Sequence, residues 1–224
     1  MTRGEGPLEK TFHIVAGGPE NLIPDLSEYE KENTIWIGVD RGVQIIIQAG
    51  LYPDLAVGDF DSIKEEDWEK IERKVPSLRR YKPEKDETDM ELAIMWALEM
   101  KASNVKIFGG TGGRLDHFMA NALMLGKFKQ DYPDINFELI DVQNNLSVHL
   151  PDSYEIKWDE EKKFISFIPI FSDVYGLTLE GFKYPLNHHH VPAGSSLCIS
   201  NELIQETGHF SFKKGILMMI RSKD

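Results

Sequence analysis

Val57-Gly58-Asp59-Phe60-Asp61-Ser62 is the stretch on which the reading of the chain turns. The apolar run Leu55 to Val57 stops at a glycine, and two carboxylates one residue apart follow at once. Side chains two apart in an extended segment point to the same side, so Asp59 and Asp61 converge while Phe60 turns inward. Carboxylates that close repel each other unless a cation or a shared proton lies between them. Hard oxygen ligands in small number suit Mg2+, which keeps several waters and takes one or two carboxylates plus substrate phosphates. The stretch is read as a strand whose carboxyl end opens on a magnesium site. The motif alone also leaves open a solvated Asp-x-Asp turn.

Working outward, residues 12–16 are apolar and close at Gly17-Gly18, which predicts a buried strand feeding a loop. Residues 34–39 predict a second strand ending at Asp40, and residues 43–49 a short helix closed by Gly50. Residues 54–57 form the third strand, and the charged residues 64–74 predict a surface helix. Thr88-Asp89-Met90-Glu91 is a capping box, with Leu92, Met95, Trp96 and Leu98 as the apolar face behind it. Asp89 then lies in the first helical turn and Asp86 just before it, where the helix dipole favours acids for structural reasons alone. Residues 104–108 predict a strand, followed by Gly109-Gly110-Thr111-Gly112-Gly113-Arg114 and an apolar helix from about Leu115 to Phe128. Strand, glycine-rich loop and helix in that order present backbone N–H groups to a phosphate.

This alternation predicts an α/β N-terminal domain with an open, mostly parallel sheet, in which ligands bind at the carboxyl ends of strands. Beyond Asn144 the pattern changes to short runs at 146–150, 164–168, 177–179, 196–199 and 216–220, separated by Pro, Gly, Asp and Asn. These predict an all-β sandwich as the C-terminal domain, with the boundary near 142–150, so that the chain divides into residues 1–145 and 146–224.

Composition narrows the function classes. A formal charge of -12 over 224 residues argues against a nucleic-acid surface, which needs clustered Lys and Arg. No apolar run approaches the roughly 20 residues of a membrane-spanning helix, and residues 1–11 lack the apolar centre of a signal peptide. The single Cys198 forbids an intrachain disulfide and suits a reducing cytoplasm. It lies in an apolar run and reads as core. His188-His189-His190 falls between Pro185 and Pro192 in an expected exposed loop, and neighbours on an extended chain face opposite ways, which disfavours a zinc site.

The glycine loop is not a Walker A sequence, since no Lys-Ser or Lys-Thr follows it. Its sequel, Arg114-Leu115-Asp116-His117, places an arginine at a helix start beside glycine amides, where a guanidinium can hold phosphate oxygens in a forked contact. Asp116 would orient that arginine or bind substrate. A plain surface pair is the alternative. Carboxylates, phosphate loop and arginine together point to a metal–nucleotide site for phosphoryl-type transfer, with the acceptor unnamed.

Five ordered motifs, Val39-Asp-Arg-Gly42, Gly50-Leu-Tyr-Pro-Asp54, Gly58-Asp-Phe-Asp-Ser62, Lys85-Asp-Glu-Thr-Asp89 and Gly109-Gly-Thr-Gly-Gly-Arg-Leu-Asp-His117, resemble the thiamine pyrophosphokinase family of bacterial type. Gly181-Phe-Lys-Tyr-Pro-Leu186 and Ile199-Ser-Asn-Glu-Leu203 extend the resemblance to the C-terminal half. It implies a cytoplasmic homodimer with thiamine held where one subunit's N-terminal domain meets the other's C-terminal domain. The implied reaction is Mg2+-dependent transfer of the terminal diphosphate of ATP to thiamine, giving thiamine diphosphate and AMP. In this sequence Asp59, Asp61 and Asp89 match the magnesium carboxylates and are implied to be catalytic, with Asp40 and Asp86 as supporting acids. Gly110, Thr111, Gly112, Gly113 and His117 would take ATP. Arg114 would steady the phosphates, and Asp116 and Asn121 would line the same pocket. Ser200 and Asn201 match the positions that hydrogen-bond the aminopyrimidine ring. Animal members carry a stacking tryptophan near the C-terminus whose nearest match here is Met218, with Tyr184 or Phe182 as other stacking partners. Two further readings stand beside this one: pyrophosphoryl transfer to another hydroxymethyl heterocycle such as a pterin, and a thiamine- or nucleotide-binding regulator without turnover.

Overall fold

The structure, a computed structural model, describes residues 10–58, the backbone of 79–81, and residues 87–224. Asp59, Asp61, Asp86 and the helix expected over 64–74 lie outside the described residues. Contacts divide the chain into two units, one of residues 1–121 with 140–142 and the other of 122–139 with 143–224.

In the first unit, β1 (Thr11–Val15), β2 (Thr34–Val39), β3 (Leu55–Val57), β4 (Arg79–Tyr81) and β5 (Asn104–Phe108) lie in the order β4-β3-β2-β1-β5. Each neighbouring pair is parallel. Strands covered on both faces read as continuous apolar runs, and Phe12, Ile14, Val15, Trp36, Ile37, Leu55, Ala56, Val57, Ile107 and Phe108 are all buried. Helix α1 (Gly42–Gln48) follows β2, and α2 (Asp89–Glu99) packs on β1, β2 and β3. Thr88 caps α2: its Oγ1 accepts from the Glu91 amide at 3.2 Å. Successive strands step outward from β1 to β4 and the chain then returns to the other side of β1 as β5. The order of strands therefore reverses between β1 and β5, the place where ligands enter open α/β sheets.

Helix α3 (Leu115–Asp131) begins in the first unit, and its residues from Ala122 onward group with the second. The second unit also holds β6 (Asn136–Ile140, except its last residue), β7 (Asn144–His149), β8 (Ser153–Lys157), β9 (Phe164–Glu180), β10 (Leu186–Val191), β11 (Thr207–Ser211) and β12 (Lys214–Ser222). β12 runs antiparallel between β7 and the first half of β9. The second half of β9 pairs with β10 and β11, and β11 with β8, all antiparallel. Phe167, Phe182, Phe210, Leu177, Leu179, Val191, Cys198 and Leu217 belong to the buried core of this unit.

Three expectations change here. The runs 164–168 and 177–179 are one 17-residue strand; exposed Ser172 and half-buried Asp173 interrupt its apolar pattern, and Phe171 and Gly176, with φ of 64 and 73, bend it without ending it. Residues 196–199 form a turn and not a strand, with Cys198 turned into the core. The three histidines lie in strand β10 and not in a loop, exposed as expected. Among the described residues, no helix is long and apolar enough to cross a membrane.

Each unit holds a neutral histidine, His13 buried in the first and His149 half-buried in the second. His13, on β1, meets Trp36, Phe108 and Tyr29 edge-on at 4.6, 5.5 and 6.1 Å. Burial, then Lys106 and Lys31, pull its pKa down to about 4. His149 lies against Tyr154 and Phe210 with Ser147 Oγ 2.9 Å from its Nε2, and burial with Lys129 pulls it to about 4. Above pH 6.5 neither state of the chain protonates these rings. Between 6.5 and about 4 the unfolded chain takes up protons that the folded one refuses, so stability falls as pH falls. From about pH 7 to about pH 5 each histidine is expected to remove about 2 kcal/mol. Urea midpoints check this: His149→Gln should flatten the profile, and an unchanged wild-type midpoint across the window would contradict it.

Candidate active site

The loops after β1 and β5 are tied to one another. The Ala16 amide donates to the Phe108 carbonyl at 2.8 Å, and the Gly18 amide to the Gly109 carbonyl at 3.0 Å. Gly109 has φ 65, and a Cβ on it would lie 2.3 Å from the Ala16 carbonyl oxygen, while one on Gly18 would lie 2.3 Å from the Gly109 oxygen. Only glycine fits either position, so the backbones close to contact and the loop Gly109–Gly113 starts from a rigid seat. The sequence reading takes Gly18 as loop and not as a site residue; the doubled glycine after β1 was the signal. Gly113, with φ 64, has nothing within 4 Å of a Cβ and faces open space.

From α3, Asn121 Nδ2 donates to the Gly110 carbonyl at 3.1 Å, fixing the loop from its far side. Thr111 is buried, and its Oγ1 has no hydrogen-bond partner among the described residues. Arg114 and Asp116 stand at the start of α3 as a forked pair: Nε donates to Oδ1 at 3.1 Å and Nη2 to Oδ2 at 2.5 Å. The Arg114 guanidinium, with the His117 amide, holds Asp116 down to about 2. Both side chains are exposed, so the fork is free to exchange a carboxylate for phosphate oxygens.

Asp40 follows β2 directly and lies in the left-handed region, φ 48, with its amide on the Val57 carbonyl at 2.9 Å. A Cβ on Gly58 would come within 2.1 Å of Asp40 Oδ1, so this carboxylate sits where the chain leaves β3 toward Asp59. Asp89 occupies the first turn of α2. Among the described residues, no three His, Cys, Asp or Glu side chains group to hold a metal; Asp59 and Asp61 lie outside them.

In the second unit, Ser200 is exposed, with φ 55 and its amide on Ser166 Oγ at 3.0 Å. Asn201 is 2% exposed and bonds the backbone of Tyr184. Of the three stacking candidates, Phe182 (2% exposed) and Met218 (5%) are buried, whereas Tyr184 is 61% exposed. Phe182 packs edge-on against Phe167 in the core, at 5.7 Å, and presents no ring to a ligand. Burial raises the Cys198 thiol pKa, which suits a core residue and not a nucleophile.

Residues 26–137 match the family model described as thiamin pyrophosphokinase, catalytic domain, and residues 153–217 the one described as thiamin pyrophosphokinase, vitamin B1 binding domain. The thiamine pyrophosphokinase of Bacillus subtilis is 54% identical over 215 residues, 96% of this chain and 100% of the relative. The chain belongs to the thiamin pyrophosphokinase family. The crystal structure of the Bacillus subtilis thiamine pyrophosphokinase superposes with a TM-score of 0.92 at 53% identity, covering 96% of this chain and 100% of that one. That of the Geobacillus thermodenitrificans thiamin pyrophosphokinase gives 0.87 at 49% identity, covering 96% and 98%. The Candida albicans thiamin pyrophosphokinase, 17% identical with a TM-score of 0.78 over 96% of this chain and 90% of that one, shares the fold. The two family matches divide the chain as its motifs do: the glycine loop, Asp40, Asp89 and Arg114 fall in the catalytic-domain match, Tyr184, Ser200 and Asn201 in the B1-binding match.

Proposed function

We propose that this chain is an ATP:thiamine diphosphotransferase, active as a cytoplasmic homodimer. One observation carries the reading: the catalytic-domain match spans the seated glycine loop and its arginine, and a vitamin B1 binding match follows in the same chain. In the reaction the thiamine hydroxyl oxygen bonds to the β-phosphorus of ATP. The bond from that phosphorus to the α–β bridging oxygen breaks, AMP leaves with the electron pair, and the hydroxyl proton passes to water.

Asp59, Asp61 and Asp89 are the residues proposed to hold Mg2+, with Asp40 and Asp86 beside them. The donors are all carboxylate oxygens, and the Asp40 carboxylate against Gly58 adds negative charge where the chain enters Asp59, which fits a hard divalent ion. When bound, the ion neutralises polyphosphate charge. The amides of Gly110, Thr111, Gly112 and Gly113 cradle phosphate oxygens at the start of α3, where the helix dipole favours anions. Arg114 exchanges Asp116 for the phosphates as charge moves toward AMP, and His117 lies beside them. Asn121 holds the loop in shape through Gly110. Ser200, Asn201 and Tyr184 form the thiamine side, in a C-terminal β-sandwich domain of residues 146–224 that follows the nucleotide domain of residues 1–145 in the chain.

Incubation with ATP, Mg2+ and thiamine, followed by identification of both products, tests the proposal. AMP and thiamine diphosphate formed in equal amounts are the expected result. ADP would indicate a simple kinase, and binding without product a regulator; either would overturn it. Sedimentation of active material as a single 25.6 kDa chain would remove the homodimer.

A further inference from the structure

We propose that Asn201 is a positioning residue: it acts on thiamine through Tyr184, whose backbone it clamps so that the exposed ring is presented in one orientation. This rests on the thiamine-binding reading above.

The Asn201 side chain is buried and committed. Its Oδ1 accepts from the amides of Tyr184 at 3.0 Å and Glu202 at 2.9 Å, and its Nδ2 donates to the Tyr184 carbonyl at 2.9 Å. A primary amide has two acceptor sites and two N–H donors, so a single N–H remains. Grasping both the N–H and the C=O of one residue reproduces the pairing a strand would make and fixes the backbone on either side of Tyr184. The clamp is itself anchored, because the backbones of Asn201 and Ile165 exchange two hydrogen bonds, at 2.9 and 2.8 Å, across to β9.

The rest of the segment is fastened as well. The Lys183 amide bonds the Glu202 carbonyl at 2.8 Å, Lys183 Nζ bonds Glu202 Oε1 at 3.0 Å, and the Ile204 amide bonds the Gly181 carbonyl at 3.0 Å. With Phe182 in the core, residues 181–184 have no freedom to drift, yet the Tyr184 ring stands in solvent. Burying an amide costs free energy unless it is hydrogen-bonded, so such a clamp under an exposed ring points to a ring whose direction matters. The other exposed aromatics of the B1-binding match lack this support. Tyr175 is covered by His190, stacked at 4.5 Å, and among the described residues no buried polar side chain bonds the backbone of Trp158 or Phe171. An open aromatic face is the surface suited to a flat, cationic heterocycle. Lys183 Nζ lies 5.8 Å from that ring, its charge matched by Glu202.

A double-mutant cycle on thiamine Kd, measured by equilibrium titration beside ATP Kd, tests this. Asn201→Ala and Tyr184→Ala should each weaken thiamine about tenfold and ATP less than about twofold. The double variant should be no weaker than the Tyr184→Ala single, because the clamp has nothing left to position. Tyr184→Phe should bind nearly as wild type. Losses that multiply in the double variant would mean that Asn201 touches thiamine itself, and a Tyr184→Phe loss as large as Tyr184→Ala would mean that the hydroxyl and not the ring is used; either overturns the proposal. Should Asn201→Ala fail to fold, Asn201→Asp takes its place, since it retains both acceptor contacts and loses the donor to Tyr184. The readout is binding, so a wild type that binds thiamine without turnover would sink the enzymatic reading and leave this one standing, while no thiamine binding would sink both.

Discussion

Asp89→Asn is expected to lower kcat by about a thousandfold or more while moving the thermal midpoint very little. The two roles open to Asp89 differ in scale, which makes the substitution decisive. As an acid in the first turn of α2 it interacts with the helix dipole, an effect of about 0.3–1 kcal/mol on stability and none on chemistry. As a magnesium ligand it carries charge that the polyphosphate cannot do without, an effect of at least about 4 kcal/mol on the barrier. Asparagine has nearly the same shape, and the helix retains its Thr88 cap, so loss of activity would not be loss of fold. Asp59→Asn should behave alike. Steady-state kinetics with a melting curve on the same preparation check both, and a variant within about tenfold of wild type would leave Asp89 a structural acid.

Arg114→Ala is expected to cost about a hundredfold to a thousandfold in kcat, again with little change in stability. The forked pair with Asp116 is exposed at both ends, and such pairs add little to folding stability. If the pair is only a surface feature, the variant will turn over normally and melt within a degree or two of wild type. If the guanidinium meets the phosphates, Arg114→Lys should recover part of the rate, because it restores the charge but not the fork. Single-turnover rates at saturating ATP separate this from a change in nucleotide affinity, and an unaltered rate in Arg114→Ala would return Arg114 and Asp116 to the surface.

The fold was most legible where burial is uniform along an element. Parallel strands such as 12–15, 35–39 and 105–108 are buried along most of their length and read as mainly apolar runs, interrupted by His13 and Lys106, and Thr88 with Glu91 marks a helix start from local chemistry alone. Legibility fell in the second unit. β8 and β11 are half-exposed antiparallel strands whose mixed polarity resembles loop, and β9 carries Ser172 and Asp173 in mid-strand. Residues 196–199 are apolar for the opposite reason: they are irregular, and Cys198 alone plugs the core. In the candidate site the local pieces were legible, and their mates were not. Gly18 gained its meaning from the Gly109 carbonyl, and Asn201, read as a ligand contact, bonds the backbone of Tyr184.

By itself the sequence determined which chemistry is on offer: carboxylates after strands, a glycine loop with an arginine at a helix start, and the ordered motifs of one family. These follow from residue type and short-range spacing, which a linear chain carries in full. Only the tertiary structure decided which aromatic is open and which is core, which backbone the buried amide holds, and that the loops after β1 and β5 meet. Those depend on contacts between residues far apart in the chain, where packing and the need to pair every buried polar group select one arrangement among many that the same local pattern allows.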